Sequence, residues 1–345
     1  MPEYKPPLRP VVWHPPRRPA RARARYSRPP MPPVRRLPLP AAGPEDVRVG
    51  ADGVLLTGVA DGRVLAVDPA SGRVRTVADT GGRPLGLCPL PDGGLLVCDA
   101  ERGLLRVDTA SGRWETVLRE AGGRRLGVCS NVVAAPDGAL YVTDASGRFP
   151  LEHWAGDLLE HSGTGRLIRY EPGRGRAEVV LDGLHFANGV APAADGSFLV
   201  VAETGAYRLM RLWLSGPKAG TAEVFAENLP GAPDNLATGP GGLIWVAMAA
   251  PRHPALDVLH RSHPALRRAL WALPPALAPR PRATAWAVAF DADGRVVRDL
   301  QRPGRGPGGY RMVTSVCEAG GRLYLGSLVE AALGVVDLPS GPSGA

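Results

Sequence analysis

A unit of short apolar strands recurs along this chain and limits its possible folds more than any other feature. Most copies continue through a turn of Asp-Gly or Gly-Gly type into a second apolar strand and then a third. A period of roughly 40 to 50 residues with short strands and Gly-rich turns is typical of a β-propeller with four strands per blade. The copies begin near Glu45, Leu85, Asn131, Asn188, Asp234 and Thr314. Six starts predict an all-β, six-bladed β-propeller.

The repeat is continuous over about residues 45–338, which indicates one closed unit rather than two domains. A closed ring needs its ends joined, because an open sheet edge would otherwise be exposed. We therefore expect residues 34–39, VRRLPL, to complete the last blade as its outer strand. The predicted organisation is an N-terminal arm over residues 1–33, a propeller over residues 34–338 and a C-terminal tail over residues 339–345.

Side chains that carry oxygen occupy nearly the same point in four of the units. In three units this residue stands six positions before the following turn, and in the fourth it stands seven before. Units related by rotation bring equivalent positions to a common axis, so these side chains should converge there. The set is two carboxylates, a third whose participation stays open, and three amides: Glu45, Asp234, Asp46, Asn131, Asn188 and Asn235. Oxygen ligands without His or Cys favour calcium over zinc or copper.

The net charge of +8 is concentrated in residues 1–44, most of which are the N-terminal arm. Residues 1–44 hold ten Lys or Arg and one acid, whereas the remaining 31 basic and 32 acidic residues nearly cancel. Such an arm can touch nucleic acid or an anionic membrane. The alternative is a solvated arm that wraps the outside of the propeller, and we expect no specific nucleic-acid partner. We also expect the arm to be dispensable for chemistry.

The chain lacks the roughly 18 to 20 consecutive apolar residues of a membrane span, and we expect a soluble, cytoplasmic protein. Its four cysteines form no CxxC motif, which argues against zinc and redox sites. Cys88 and Cys98 flank the turn at Asp92, and a hairpin there would place them almost opposite each other. Two reduced thiols packed as small hydrophobic groups are the expected state.

Two insertions widen the repeat. The first, PLEHWAGDLLEHSG, predicts a short helix whose His153 and His161 make polar contacts, with metal binding as a weaker alternative. The second, about residues 250–283, predicts one or two amphipathic helices, either capping the tunnel mouth or packing on the blades. Their apolar stripe would be Leu256, Leu259, Leu266, Leu270 and Trp271, with Arg261, Arg267 and Arg268 on the opposite rim.

The segments GPEDV, RPLGL, RFPLEHWAGDLLEHSGTGRLIRYEP, FANGVAPAADGSFLVVAET, PDNLA and TSVCEAGGRLYLGS occur in this order over roughly residues 40–338. Together they resemble the strictosidine synthase-like branch of the gluconolactonase, regucalcin and paraoxonase superfamily. The resemblance implies a six-bladed propeller with one divalent metal, usually calcium, in its central tunnel. Carried over motif by motif, the implied ligands are Glu45, Asn131, Asn188, Asp234 and Asn235.

Departures from the characterised relatives narrow the chemistry. Thr314 stands near the position of the catalytic Glu of strictosidine synthase, so a condensation of amine with aldehyde is disfavoured. Leu85 and Asp99 replace the His dyad of paraoxonases. Cys129 replaces the Arg that gluconolactonases present two residues before their Asn, so sugar lactones lose that clamp. Val132 replaces an acid of the second, structural calcium site of paraoxonases, and one metal is expected.

These observations favour a calcium-dependent hydrolase of small lactones or esters, of the lactonase or arylesterase type. The metal would polarise the carbonyl, and Asp234 or Glu45 would act as the general base. The alternatives are a non-catalytic calcium-binding propeller and, less favoured, a strictosidine synthase-type condensing enzyme.

Overall fold

Six antiparallel four-stranded sheets form the blades of a β-propeller, which confirms the fold predicted from the repeat. The computed structural model describes residues 5–274 and 281–339. Adjacent blades contact one another through their first strands. The strands are numbered along the chain, and the first of them, β1 (Arg35–Pro38), belongs to the last blade.

The first three blades occupy the N-terminal half of the chain, and a short hairpin separates the second from the third. Blade one contains β2 (Arg48–Val49), β3 (Leu55–Gly58), β4 (Arg63–Val67) and β5 (Val74–Asp79). Blade two contains β6 (Pro84–Pro89), β7 (Gly94–Asp99), β8 (Gly103–Asp108) and β9 (Trp114–Leu118). The hairpin is β10 (Glu120–Ala121) with β11 (Arg124–Arg125). Blade three contains β12 (Cys129–Ala134), β13 (Leu140–Asp144), β14 (Gly165–Glu171) and β15 (Arg176–Leu184).

The other three blades follow in the same order, from the inner strand outward. Blade four contains β16 (Ala187–Pro192), β17 (Phe198–Glu203), β18 (Arg208–Trp213) and β19 (Ala222–Ala226). Blade five contains β20 (Gly231–Thr238), β21 (Ile244–Pro251), β22 (Thr284–Phe290) and β23 (Val296–Pro303). Blade six contains β24 (Val313–Ala319), β25 (Arg322–Ser327), β26 (Ala332–Asp337) and β1.

Within the described parts of the two insertions there are three short α-helices. The first insertion forms α1 (Trp154–Glu160), and the second forms α2 (Pro254–Arg261) and α3 (Pro264–Ala272). Single 3-10 turns occur at Ala20–Arg23, Leu151–His153, Pro172–Arg174 and Thr204–Ala206.

The ring is closed by β1, which pairs antiparallel with β26 as the outer strand of blade six. Leu37 stands opposite Leu333 and is buried with Tyr324, while Arg35 is exposed. The closing strand expected at residues 34–39 is therefore present. It supplies the hydrogen-bonding partner that an open edge of blade six would lack.

The cores lie between adjacent blades, where the apolar faces of neighbouring sheets meet. The two largest fully buried side chains are Trp245 and Trp286 of blade five. Each indole N–H has a partner: Trp245 donates to Glu318 at 2.7 Å and Trp286 to Asp299 at 2.8 Å. Large aromatic groups can fill the interior here because their one polar atom is satisfied.

The second insertion packs differently from its predicted amphipathic pattern. Leu256, Leu259, Leu270 and Trp271 face inward, but Leu266 of the predicted apolar stripe is 53% exposed. Arg267, predicted on the outer rim, is fully buried. The pattern failed because another segment covers this side of the helices. Residues 275–280 of the predicted insertion lie outside the described residues.

That covering segment is the N-terminal arm, whose described part begins at residue 5. It crosses α1, α2 and α3 and then follows blade five, where Arg21 pairs with Asp299. The backbone N–H groups of Ser27 and Met31 donate to the carbonyl oxygen of Gln301 at 3.1 and 3.2 Å. The arm therefore wraps the outside of the propeller, as one of the two alternatives expected, but parts of it are buried instead of solvated. A Pro-rich segment makes few hydrogen bonds to itself, so its carbonyl groups are available to other elements. The predicted tail lies outside the described residues except for residue 339.

All four cysteines are free thiols. The predicted opposition of Cys88 and Cys98 was wrong, because β6 and β7 pair Cys88 with Leu96. Cys98 instead lies beside Cys129 of blade three, and burial raises the pKa of its thiol well above the usual range. No helix within residues 5–274 and 281–339 combines the length and apolar character that crossing a membrane requires.

The closing strand generates a stability prediction. Leu37→Ala should lower the free energy of unfolding by about 2 to 5 kcal/mol, because it leaves a cavity beneath the strand that joins the ring. Denaturant unfolding measures this change. Arg35→Ala, on the exposed side of the same strand, should change the free energy by less than about 0.5 kcal/mol. Equal effects of the two substitutions would contradict the closing role of Leu37.

Candidate functional site

The five predicted site residues meet at the propeller axis. Asn131 lies in β12, Asn188 in β16, and Asp234 and Asn235 in β20, while Glu45 lies just before β2. The Asn131 amide donates to Asn235 Oδ1 at 2.8 Å, and the Asn235 amide donates to Glu45 Oε1 at 2.8 Å. Residues up to 190 positions apart in sequence thus form one hydrogen-bonded chain.

The side chains reach the axis because the inner strands are irregular at this level. The register between the first and second strands shifts at equivalent points in five blades: between Pro84 and Leu87, Cys129 and Asn131, Ala187 and Val190, Pro233 and Leu236, and Val313 and Ser315. Such bulges re-aim side chains relative to a regular ladder. Repetition of the same irregularity turns one residue per blade toward a common centre.

Glycines permit the close approach of neighbouring inner strands. A Cβ on Gly189 would lie 2.5 Å from the Cα of Asn235, and one on Gly86 would lie 2.6 Å from the Cα of Asn131. Both distances are far below normal contact, and the obstructing atoms are backbone. In the FANG segment, the site residue Asn188 is thus followed directly by Gly189, and Gly189 lets the next site residue, Asn235, approach.

The two carboxylates of the site are buried in a setting that favours their neutral form. Burial raises the pKa of Glu45 to about 8, and the charge of Asp46 adds to the effect, against opposing contributions from Arg83, Asn235 and Arg48. Burial likewise raises the pKa of Asp234 well above its usual range, and Glu45 contributes next. Two like charges close together in a dry site disfavour ionisation.

Two oxygen atoms at this centre have no hydrogen-bond partner within the described residues. They are Oε2 of Glu45 and Oδ1 of Asn131, and both are buried. A buried acceptor without a donor lowers stability unless a bound ion or ligand satisfies it. A divalent cation bound by oxygen would supply positive charge to both carboxylates and a partner for these atoms. The residues present fit a calcium ion.

Any metal here depends on amides as well as acids. Across residues 5–274 and 281–339, no three side chains of His, Cys, Asp or Glu are grouped so as to hold a metal ion. Glu45 and Asp234 supply the acidic groups, and Asn188 lies beside them on the cavity floor. Hard, uncharged amide oxygens are ordinary calcium ligands.

The sequence did not decide whether Asp46 is a metal ligand. In the structure, other protein groups bind its carboxylate. It is fully buried and accepts hydrogen bonds from the backbone of Val47 and Leu87, each at 2.9 Å. Ser315 also donates to it, and Arg48 forms an ion pair with it at 3.0 Å. Its role is to join blades, so it does not belong to the candidate metal set.

A cavity of about 420 Å³ lies over the site. Glu45, Asn188 and Asp234 line its floor, whereas Asn131 and Asn235 are fully buried beneath. The walls and roof are mainly apolar and come from the inner blade ends and the helices of the insertions. They include Leu85, Phe186, Leu256, Leu259, Leu270 and Trp271. A polar floor under an apolar chamber is a common form for a small-molecule site.

Sequence analysis missed several residues around the floor. Ser130 and Thr204 line the cavity, Ser130 donating to Asn188 Oδ1 at 3.1 Å and Thr204 accepting from the Asn188 amide at 3.3 Å. Phe186 and Met312 line it too, with φ of 60° and 53°. Each of these two stands immediately before an inner strand, a position the repeat could have identified. The sequence gives no sign of their left-handed backbone, because neither residue is a glycine.

The positions that depart from the characterised relatives have other roles. Thr314 donates to the backbone oxygen of Glu45 at 2.7 Å, and Glu318 is bonded to Trp245 away from the cavity. Cys129 is buried in the core between blades two and three. Nearby, Tyr310 donates to the backbone oxygen of Leu325 in blade six, and Ser315 donates to Asp46. His153 and His161 flank α1 at its two ends.

Comparison with known proteins gives consistent results. The family model of strictosidine synthase matches residues 131–217, and that of the strictosidine synthase-like N-terminal region matches residues 33–67. Protein STRICTOSIDINE SYNTHASE-LIKE 10 of Arabidopsis thaliana is 37% identical over 58% of this chain and 54% of its own. The chain thus spans about half of that plant relative. Adipocyte plasma membrane-associated protein of Bos taurus is 33% identical over 83% of this chain and 73% of its own.

Solved structures show the same fold at low identity. A gluconolactonase from Xanthomonas campestris superposes with a TM-score of 0.63 at 19% identity, covering 98% of this chain and 96% of its own. A regucalcin from Agrobacterium tumefaciens, described as a calcium-binding protein, gives a TM-score of 0.61 at 17% identity, covering 90% and 94%. With the extended match to the bovine protein, these results show that the chain belongs to the strictosidine synthase-like family of six-bladed propellers.

Proposed function

We propose that this protein is a calcium-dependent hydrolase of small apolar lactones or esters, with its chemistry on the floor of the cavity. The observation that carries the proposal is the pairing of Glu45 and Asp234 at the base of an apolar chamber, with the Oε2 atom of Glu45 unpartnered. The fold shared with a gluconolactonase and with a calcium-binding regucalcin supports the same assignment.

The cavity walls favour an apolar substrate. Apolar side chains, with Leu and Ala the most frequent, form most of the lining. Cys129, at the position where gluconolactonases have an Arg, is buried in the core. A polyhydroxylated sugar lactone would leave its hydroxyl groups without partners on such walls, which costs free energy for each group. An aliphatic or aromatic lactone or ester avoids that cost.

The carboxylates have two tasks in this proposal. One orients and holds the cation, and the other accepts a proton from the attacking water. Asp234 is the preferred base because it faces the cavity and because burial raises its pKa well above the usual range, which favours uptake of a proton. Glu45 is the second candidate, with one oxygen fixed by Asn235 and the other free. A bound calcium ion would polarise the carbonyl and stabilise the developing oxyanion.

The runner-up is a non-catalytic calcium-binding propeller. The observation in its favour is that Ser130, on the cavity floor, donates to Asn188 instead of to a histidine. No activated nucleophile of that kind is therefore formed by this serine. A condensing enzyme is disfavoured, since the hydroxyl of Thr314 is engaged with the Glu45 backbone.

Calcium binding is the first expectation. The purified protein, stripped with chelator and titrated by calorimetry, should bind about one calcium ion per chain, in line with a single cage of oxygen ligands. Asp234→Ala should abolish measurable binding, because it removes one of two acidic groups. Asp137→Asn, at an exposed turn in blade three, is the matched control and should bind as the unmodified protein does. Equal binding by both variants would place the ion elsewhere.

The second expectation identifies the base. Asp234→Asn should keep the fold and much of the calcium affinity, since its amide oxygen still coordinates. Turnover of an aryl ester should fall by roughly two to four orders of magnitude, the usual contribution of a positioned base. Glu45→Gln is the comparison. A larger loss of turnover in Glu45→Gln than in Asp234→Asn, with calcium still bound, would identify Glu45 as the general base. Activity that survives both substitutions and full chelation would remove the metal centre from the chemistry.

Substrate preference gives a third expectation. A δ-lactone with an alkyl side chain should have a kcat/KM at least about ten-fold above that of glucono-δ-lactone, which has the same ring with hydroxyl groups. Hydrolysis of both should be measured with the calcium-loaded protein and with a chelated control. A preference for the sugar lactone would contradict the apolar assignment.

A further inference from the structure

The N-terminal arm is bound to all three helices around the cavity. Its backbone accepts hydrogen bonds from cap side chains: Val11 O from Arg267 at 2.9 Å, Pro15 O from Arg261 at 2.7 Å and Pro6 O from Trp271 at 2.9 Å. The acceptors belong to residues without regular secondary structure. The segment therefore links α2 and α3 across their outer side.

Two backbone N–H groups of the arm complete this attachment. Val11 donates to the carbonyl oxygen of Glu160, the last residue of α1, at 2.9 Å. Trp13 donates to the carbonyl oxygen of His260 in α2 at 3.0 Å. These helices supply part of the cavity lining, including Leu158 and Leu259. Release of the arm would therefore free the helices that enclose the cavity.

The indole of Trp13 ends a stack of rings from separate elements. It lies 4.0 Å from the ring of His161, at the end of α1, and His161 lies 3.8 Å from His185, just before β16. His260 of α2 packs edge-on at 5.3 Å from Trp13. The Nδ1 atoms of His161 and His185 are buried and have no hydrogen-bond partner among the described residues.

The acids around the stack are engaged with partners of their own, which leaves Arg267 without a carboxylate beside the histidines in the part of the chain that the structure describes. Three acids face the stack, but each is already paired: Glu160 with Arg148, Glu203 with Arg208 and Asp257 with Arg252. Asp157 of α1 accepts from Ser146. Arg267 of α3 is buried, lies 3.3 Å from His260 Nδ1 and has no carboxylate at ion-pair distance within the described residues. Tyr207 adds a neutral ring beneath Arg252.

We propose that residues 5–17 are a strap that holds α2 and α3 closed over the cavity, and that the stack of Trp13 with His161, His185 and His260 is a proton-sensitive latch for it. Protonated rings would repel one another and Arg267. This repulsion would separate the rings of the stack and release Trp13 with the strap. Regulation of turnover by this movement rests on the function proposed above, whereas the latch itself does not. The expectation that the arm is dispensable is replaced by this role.

The direction of the pH response follows from the closed state. Burial, followed by His185 and His260, lowers the pKa of His161 to about 2, and burial, followed by Arg267, lowers that of His260 to about 3. Burial also lowers the pKa of His185. Released histidines have a pKa of about 6.5, so the open state binds more protons. The closed state has its full stability above that pKa. At pH 5, each histidine that is freed on opening lowers the equilibrium constant for closure by about 30-fold.

Hydrogen exchange of the full-length protein tests the latch without requiring any hydrolytic activity. Mass spectrometry of the peptides that contain Val11 and Trp13, normalised to intrinsic exchange rates, should show at least about ten-fold less protection at pH 5.0 than at pH 7.5. Peptides from blade two serve as the folded reference. Protection that is equal at the two pH values would overturn the proposal.

Phenylalanine variants separate titration from packing. His161→Phe keeps a ring in the stack but cannot bind a proton, so its pH response should be reduced by up to about 30-fold relative to the unmodified protein. His14→Phe is the matched control, because His14 is an exposed histidine of the same arm that lies outside the stack, and its response should be unchanged. If the peptides of blade two lose protection in His161→Phe, that variant is not correctly folded. The same comparison is then made with His185→Phe. An undiminished response in a folded variant would overturn the latch.

Entry of Nile red tests access to the cavity. The dye should bind at least about ten-fold faster at pH 5.0 than at pH 7.5, and the difference should shrink in His161→Phe. Loss of strap protection without faster entry would overturn the closure of the cavity by the strap. Failure to hydrolyse any ester or lactone would overturn the proposed function and leave both of these measurements intact.

Discussion

The buried carboxylate of Asp46 joins the inner strands at the point where the ring begins and ends. It accepts from the backbone of Leu87 in blade two and from Ser315 in blade six, and its partner Arg48 reaches the carbonyl oxygen of Leu236 in blade five. A buried charge is tolerated only when hydrogen bonds and an opposite charge compensate its desolvation. Because the donors come from different blades, that compensation exists only in the closed ring.

The adjacent Glu45 and the facing Asp234 are buried without equivalent compensation. Glu45 keeps one oxygen unpartnered, and the pKa values of both groups are raised chiefly by burial. The same axis therefore holds one acid satisfied by the protein and two whose charge the protein alone leaves poorly balanced. Residues that retain such a cost under an apolar cavity indicate a binding or catalytic task, since packing alone would favour apolar side chains there.

Enclosure of the cavity depends on contacts between segments far apart in sequence. Arg267 is buried in an amphipathic helix because the carbonyl groups of Val11 and Leu159 satisfy its guanidinium. The proline-rich arm offers such carbonyl groups because little of it is used in regular secondary structure. The charge composition of the arm suggested a solvated segment, but its backbone hydrogen bonds and the ion pair of Arg21 with Asp299 hold it against the helices and blade five.

The sequence by itself determined the number of blades, the closing strand and the approach of five side chains to one axis, because a rotational repeat brings equivalent positions together. It also gave the apolar lining at Leu256, Leu259 and Leu270. Only the tertiary structure decided that Asp46 is consumed by blade contacts while its neighbour Glu45 stays partly free, and that the histidines of three separate elements stack on Trp13. Local patterns record which residues can be buried. Which donor or ring meets each one is fixed by contacts between elements that are separate in the sequence, and no periodicity encodes those contacts.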